Sequence, residues 1–317
     1  MRRGIKAVLL VTGSALLVVG GGLYLASCKD SKLAEKVREV DLSEKGVLNF
    51  DFDLSVSDVE FVPTSDGTKK VVFYENDKVW HEDKVEEHTL YVVSKEEKKW
   101  WNWLSPDFSK KKIEVRLPAS ELGDLKIKNS TGDIKVPKEY SFDLANIELS
   151  TGDIDYSAVV KGELSVTSST GNVSVNDITA KSIKVRRSTG NLKMKNVTVE
   201  ETIETEGSTG KTSLEKVRSK NLSVKGSTGD VDLDDVVIEE GIKIKVSTGE
   251  VEFKDIDALG EIDIETSTGD VEGSLLTGKT FDVRSDTGKI SVPDQTVGAP
   301  ICKVRTDTGD IKITVKD

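Results

Sequence analysis

From Val47 onward, apolar and polar residues alternate in short runs, and from Leu125 the alternation repeats with a fixed period. Ser-Thr-Gly, or Asp-Thr-Gly in the last two copies, recurs ten times, with its glycine at Gly132, Gly152, Gly171, Gly190, Gly210, Gly229, Gly249, Gly269, Gly288 and Gly309. The intervals between these glycines run only from 19 to 21 residues. With the glycine numbered zero, position −7 reads Leu125, Ala145, Leu164, Ile183 and onward to Phe281 and Cys302, and position −5 reads Ile127, Ile147, Val166, Val185 and onward. Beyond the glycine, position +2 is Ile134, Ile154, Val173, Leu192 and their successors; +4 is mostly Val, Leu, Tyr, Phe or Ile, and +7 is Val or Ile in most repeats. Apolar residues two apart on either side of a turn predict short, half-buried strands, and the Val and Ile content suits a pleated surface better than a helix.

The tripeptide supplies what a tight corner needs: a hydroxyl, a residue free to take positive φ, and a polar residue after it. Each repeat is therefore one coil with roughly three short faces. The predicted fold is all-β, a single-stranded parallel β-helix (β-solenoid) of about ten ~20-residue coils. Stacking about 4.8 Å apart gives a rod on the order of 45–50 Å long. One coil buries too few aliphatics to offset its own ordering entropy, so the coils must fold as one cooperative stack.

Upstream the pattern is less regular. Residues 47–118 carry β-type runs without the tripeptide, such as Phe50/Phe52/Leu54, Val71–Tyr74 and Ile113/Val115/Leu117, and read as an irregular N-terminal cap or first coils. The regular solenoid is assigned to 119–317. Residues 29–46, polar with scattered Leu33, Val37 and Val40, suit a short helical stalk. Residues 1–28 form the membrane anchor or signal: Arg2, Arg3 and Lys6 precede an uncharged run from Ala7 to Ser27. As a helix that run reaches about 31 Å, close to the hydrocarbon thickness. Leu25-Ala26-Ser27-Cys28 also resembles a lipobox, in which case Cys28 carries the lipid. A single uncleaved transmembrane helix, a lipoprotein signal and a plain cleaved signal all place the remainder outside the membrane, by the positive-inside rule.

All four tryptophans, Trp80, Trp100, Trp101 and Trp103, lie in the irregular region. Trp100, Trp101 and Trp103 with Lys110, Lys111 and Lys112 are a candidate membrane or partner contact, aromatic rings at headgroup depth beside basic heads. The same tryptophans would equally close the end of the solenoid.

Charge narrows the partners. With 45 basic against 56 acidic residues the net charge is −11, and no basic stripe for nucleic acid appears. Cys28 and Cys302 do not make a disulfide framework, and His81 and His88 have no Cys/His companions at zinc spacing.

Leu117-Pro118 followed by serial Ser-Thr-Gly-Asp-Ile-x-Val coils behind a membrane anchor resembles the bacterial putative-adhesin family of DUF4097 type, over roughly Val47 to Asp317. The resemblance implies a right-handed-type β-helix outside the cytoplasmic membrane and a link to envelope-stress and surface functions. It supplies no catalytic residues.

Other solenoid chemistries fit poorly. Position +1 reads Asp133, Asp153, Asn172, Asn191, Lys211, Asp230, Glu250, Asp270, Lys289 and Asp310. Lysines interrupt the acids that a calcium ladder or a polysaccharide lyase would need, and no long loops wall a cleft. The threonine ladder sits at a corner beside charges, unlike the flat rows of ice-binding solenoids. Cys302, at the inward −7 position, reads as core. No catalytic, cofactor or metal site is expected. The expected role is a non-enzymatic extracytoplasmic binding or scaffolding module, adhesin-like or envelope-sensing, in a Gram-positive cell membrane and facing an envelope protein or cell-wall glycan. The alternatives are a spacer that self-associates through the bare edge of its last coil (Ile311, Ile313, Val315), and a polysaccharide-acting β-helix enzyme.

Overall fold

The computed structural model describes residues 17–19, 22–24, 36–96 and 111–316. Leu17–Val19 and Gly22–Tyr24 are two short strands paired antiparallel. The rest of the expected anchor with Cys28, and the contact residues Trp100, Trp101, Trp103 and Lys110, lie outside the described residues. Among the described residues no helix is long and apolar enough to cross a membrane.

The remaining strands form one continuous solenoid sheet. Each rung, named here by its corner glycine, places one strand before the glycine and one after it. Leu125–Thr131 and Ile134–Val136 do so in the Gly132 rung. Like positions pair in parallel register from rung to rung, for example Ile127 with Ile147 and Ile134 with Ile154. Positions −7, −5, +2 and +4 point into a common core, where Ile147, Val166, Val185, Met194 and Ile264 are at most 1% exposed. Five rungs turn a second corner at +6, where Asp177, Asn196, Lys216, Asp235 and Asp255 hold φ between 54° and 56°. Asp and Asn tolerate this left-handed conformation because their short polar side chains bond locally. Along this column Asn196 Nδ2 donates to Asp177 Oδ1 of the neighbouring rung at 2.7 Å. The third face begins there and closes the triangle.

The corner glycine is required twice over. At Gly190 φ is +131°, and a Cβ would lie 1.9 Å from the Gly171 carbonyl oxygen of the neighbouring rung. The glycine N–H instead donates across the stack, as from Gly171 to Thr189 O at 3.0 Å.

The order of rungs departs from the order of the chain at both ends. At the C-terminal end Ile262 pairs with Cys302, and Cys302 pairs on its other side with Phe281. The Gly309 rung is thus inserted between the Gly269 and Gly288 rungs. The expected bare edge on Ile311, Ile313 and Val315 is therefore corrected. Ile311 and Ile313 are buried, and their strand pairs with both Val271–Leu275 and Ile290–Ser291. On the same strand and just after it, Lys312 and Lys316 pair with Glu272 and Asp255. The outermost rung is that of Gly288, where Ile290 is 46% exposed.

The N-terminal end is built the same way. Asn49–Val56 lies between Leu125–Thr131 and Thr89–Glu96, and Asp58–Thr64 lies between Ile134–Val136 and Lys112–Pro118. Residues 47–118 therefore contain two rungs plus a cap of antiparallel strands. The expected helical stalk is replaced, over Lys36–Asp41, by a strand antiparallel to Lys70–Glu75. Arg38 anchors it, reaching Glu75 and Asp83 and lying 4.2 Å over the Phe73 ring.

Candidate functional site

Three groups of polar residues have the composition of a site: the +1 ladder, a buried cluster in the cap, and the face after the corner. The +1 ladder is occupied by the fold. Asp133 Oδ1 accepts the Asp153 N–H at 2.9 Å, Asp153 Oδ1 accepts the Asn172 N–H at 2.7 Å, and Asn191 Oδ1 accepts the Lys211 N–H at 2.9 Å. Each Asp or Asn at +1 thus caps the amide of the next rung. The run breaks at Lys211, which offers no acceptor to Asp230, and again at Glu250, whose longer side chain does not bond the Asp270 amide. Lys289 causes no break, because its rung is outermost and no amide follows it.

The cap holds the group that sequence reasoning missed. His81 Nε2 lies 2.9 Å from Ser57 Oγ, and Nδ1 lies 3.1 Å from Glu75 Oε1. Glu75 also accepts from the His81 N–H at 2.8 Å and from Arg38. This order of serine, histidine and carboxylate is that of a nucleophilic triad. It lacks the access such a triad needs. Ser57 is 2% exposed and His81 3%, the histidine ring stacks on Phe73, and Ser57 Oγ also sits 2.6 Å from Val56 O. Ser57 occupies the corner column of its rung, where its N–H donates to Thr131 O. The cluster therefore bolts the antiparallel cap to the first corner. Desolvation depresses the His81 pKa, outweighing the Glu75 carboxylate that favours the charged ring. No single residue pattern announces this cluster, because Glu75 and His81, at the end of Lys70–Glu75 and the start of Val79–Glu86, meet Ser57 of a rung corner only in the folded cap.

A second missed feature is Arg187, at the inward −3 position and only 6% exposed. Its Nε donates to Gly190 O at 2.9 Å, and Nη2 to Gly210 O at 3.3 Å. Elsewhere in this column Thr266 and Thr306 bond the corner carbonyl of a neighbouring rung. Gly207 and Gly226 have no side chain for the task, and a Cβ on Gly207 would lie 2.9 Å from the Arg187 guanidinium carbon. Arg187 serves two corners at once. Burial lowers its pKa to about 10. Its position two residues from −5 on the same strand marks it as inward-facing in the sequence.

The open surface lies on the face after the glycine corner. A groove of about 490 Å³ is lined by Asp133, Lys135, Asp155, Ser174 and Asn176. Farther along, one of about 440 Å³ is lined by Glu215, Asp232, Asp234, Glu252 and Glu272. Between them stand Lys193 and Lys195 at the same +3 and +5 positions, and Lys195 pairs with Glu215 at 2.8 Å. Rows +3 and +5 thus present carboxylates, amides, hydroxyls and lysines at the inter-strand spacing. Of the expected membrane-contact residues, Lys111 is buried and Lys112 lies between Glu60 and Glu114. Partial burial opposes its charge, yet these two carboxylates raise its pKa. Among the described residues, no three His, Cys, Asp or Glu side chains are grouped to hold a metal ion.

Solved structures similar to the chain include a "putative adhesin" from Bacteroides fragilis NCTC 9343, 14% identical, covering 88% of this chain and 98% of that one, with a TM-score of 0.32. Another is a "putative cell adhesion protein" from Clostridium sporogenes ATCC 15579, 12% identical over 90% of this chain and 100% of that one, with a TM-score of 0.21. A third is a "putative lipid binding protein" from Parabacteroides distasonis ATCC 8503, 14% identical over 88% and 96%, with a TM-score of 0.29. No curated protein matches the chain. The family model "Toastrack DUF4097" matches residues 48–208 and again 181–317, and the chain belongs to that family.

Proposed function

We propose that the chain is a non-enzymatic binding module, anchored in the cell membrane by its first 28 residues, with its solenoid outside the cytoplasm. The observation that carries the binding role is the grooved face after the glycine corner, whose +3 and +5 rows carry charged side chains bonded only to one another or to neighbouring lysines, while the Asp and Asn side chains of the +1 row are spent on backbone amides. A groove shared by several stacked rungs suits an extended polymer rather than a compact small molecule. The run of Asp232, Glu252 and Glu272 at +3 favours a polymer carrying amino groups, such as a cell-wall glycan with free amines. The uninterrupted role of Ser57, His81 and Glu75 in joining cap to corner speaks against catalysis there.

The test is sedimentation of the full chain, in detergent, with purified cell-wall glycan. Replacing Asp232, Asp234 and Glu252 by their amides should weaken binding about tenfold, while replacing Glu239 and Glu240 on the third face should leave it unchanged. Equal losses from both sets would remove the groove from the reading. For the anchor, mass spectrometry of the mature amino terminus separates an intact Ala7–Ser27 span from a lipidated Cys28.

A further inference from the structure

The inserted Gly309 rung has a consequence for partnership. Strands Ile262–Thr268 and Thr280–Thr287 are close in sequence yet stand two rungs apart, because the chain crosses over at 276–279 and leaves a slot one rung deep. Buried Lys279 pins that crossover, donating to Asp257 Oδ1 at 2.6 Å and to Ala258 O at 2.8 Å. The slot is filled only when residues 301–316 arrive, and both of its walls are unsatisfied strand edges until then.

The filling segment is chemically matched to the slot. Its outward side chains Lys303, Arg305, Lys312 and Lys316 are basic; the walls present acids to the first three, and Lys316 reaches past the wall to the Gly249 rung. Lys303 lies 3.4 Å from Asp263 and 3.8 Å from Glu265, Arg305 lies 2.8 Å from Asp282, and Lys316 lies 2.9 Å from Asp255; Lys312 pairs with Glu272. The segment is tethered by 292–300, a run with two prolines, Gly298 at φ +81°, and Val297 99% exposed. Extended, nine residues reach roughly 30 Å. Around this tether the stack end carries its apolar exposure: Ile290 at 46% and Ile301 at 48%, beside Val297.

We propose that the slot accepts the basic rung of a second copy, so that two chains exchange residues 301–316 and meet end to end through their Gly288 rungs. Exchange conserves every pairing of the single chain and adds contact between the two exposed stack ends, the usual economy of a domain swap. It is strand addition with the chain's own sequence as donor. The occupant is a second copy because the register, the inward Cys302, Val304, Ile311 and Ile313, and the four basic contacts are all specified by that segment.

The test uses the full chain in detergent with Cys28→Ser, Thr268→Cys and Thr308→Cys. Thr268 and Thr308 are exposed partners in the register between the two rungs. After concentration and a cycle of mild warming, oxidation should give a disulfide-linked dimer on a non-reducing gel that collapses to monomer on reduction. A dimer by light scattering whose disulfide is entirely intramolecular would mean stacked ends without exchange and would overturn the proposal. A strict monomer with an intramolecular disulfide overturns it too. If the cysteine variant does not fold, native mass spectrometry of the otherwise unchanged chain, carrying two different tags, decides. A mixed dimer that forms only after warming the mixture supports exchange. Monomers alone, or a mixed dimer that forms at once on mixing in the cold, sink it.

Discussion

At the residue scale, the corner explains most of the repeat's identity, and it does so with different strengths at different positions. Gly190→Ala forces a Cβ against a backbone carbonyl at positive φ and should cost about 3 kcal/mol or more. Gly67→Ala, at φ +77° with nothing within 4 Å, meets strain alone and should cost about 1 kcal/mol. Chemical denaturation of the two variants checks the difference. At +1 the amide-capping role makes a prediction of opposite sign. Lys211→Asn supplies an acceptor for the uncapped Asp230 N–H and should gain about 1 kcal/mol, whereas Asp153→Ala should lose about that much. If both changes proved neutral, the +1 ladder would have no part in stability.

At the element scale, the N-terminal cap depends on a buried histidine. Its pKa is depressed in the folded protein, so the unfolded chain takes up the proton first as pH falls. The stability this group contributes is complete above the ordinary imidazole value of about 6.5 and declines as pH falls below it, down to the folded-state pKa. The melting temperature of the wild type should drop across that window, and His81→Gln should flatten the drop at the cost of lower stability throughout. A profile unchanged by the substitution would place the pH dependence elsewhere. Elements also show what sequence could and could not disclose. The strands, the inward rows and the glycine corner follow from period-two alternation around a fixed tripeptide, and Ile147 or Val185 could be placed in the core without coordinates. Lys36–Asp41 could not be placed, because its strand state depends on pairing with Lys70–Glu75 and on the Arg38 contact with Phe73, both remote in sequence. The Ser57–Glu75–His81 cluster was hidden for the same reason. The grooves on the face after the corner were only half legible: the +3 and +5 residues could be read as outward, but not the hollows between rungs.

At the scale of the whole molecule, the repeats fix composition per rung but not the order of rungs. Any of the last three rungs could stack on the Gly249 rung by hydrophobic pattern alone. The order Gly269, Gly309, Gly288 is selected by the crossover held at Lys279 and by basic residues of the inserted rung facing acids on both sides. The last described strand, Ile311–Val315, is thereby tucked one rung inside the stack, and the exposed Gly288 rung is an internal segment of the sequence. Substitution follows the same logic. Ile311→Ala, in a rung covered on both sides, should cost about 2–4 kcal/mol, and Ile290→Ala, half-exposed in the outermost rung, less than about 1 kcal/mol. The most direct measurement is native-state hydrogen exchange of the full chain, followed by mass spectrometry of peptides along the last three rungs. If the rungs stack in the order described, amides of 302–308 and 311–313 exchange as slowly as those of 242–246, and amides of 281–287 exchange faster than either. Exchange that quickens steadily toward the C-terminus, with 302–313 the fastest of all, would contradict the inserted rung and the slot built on it.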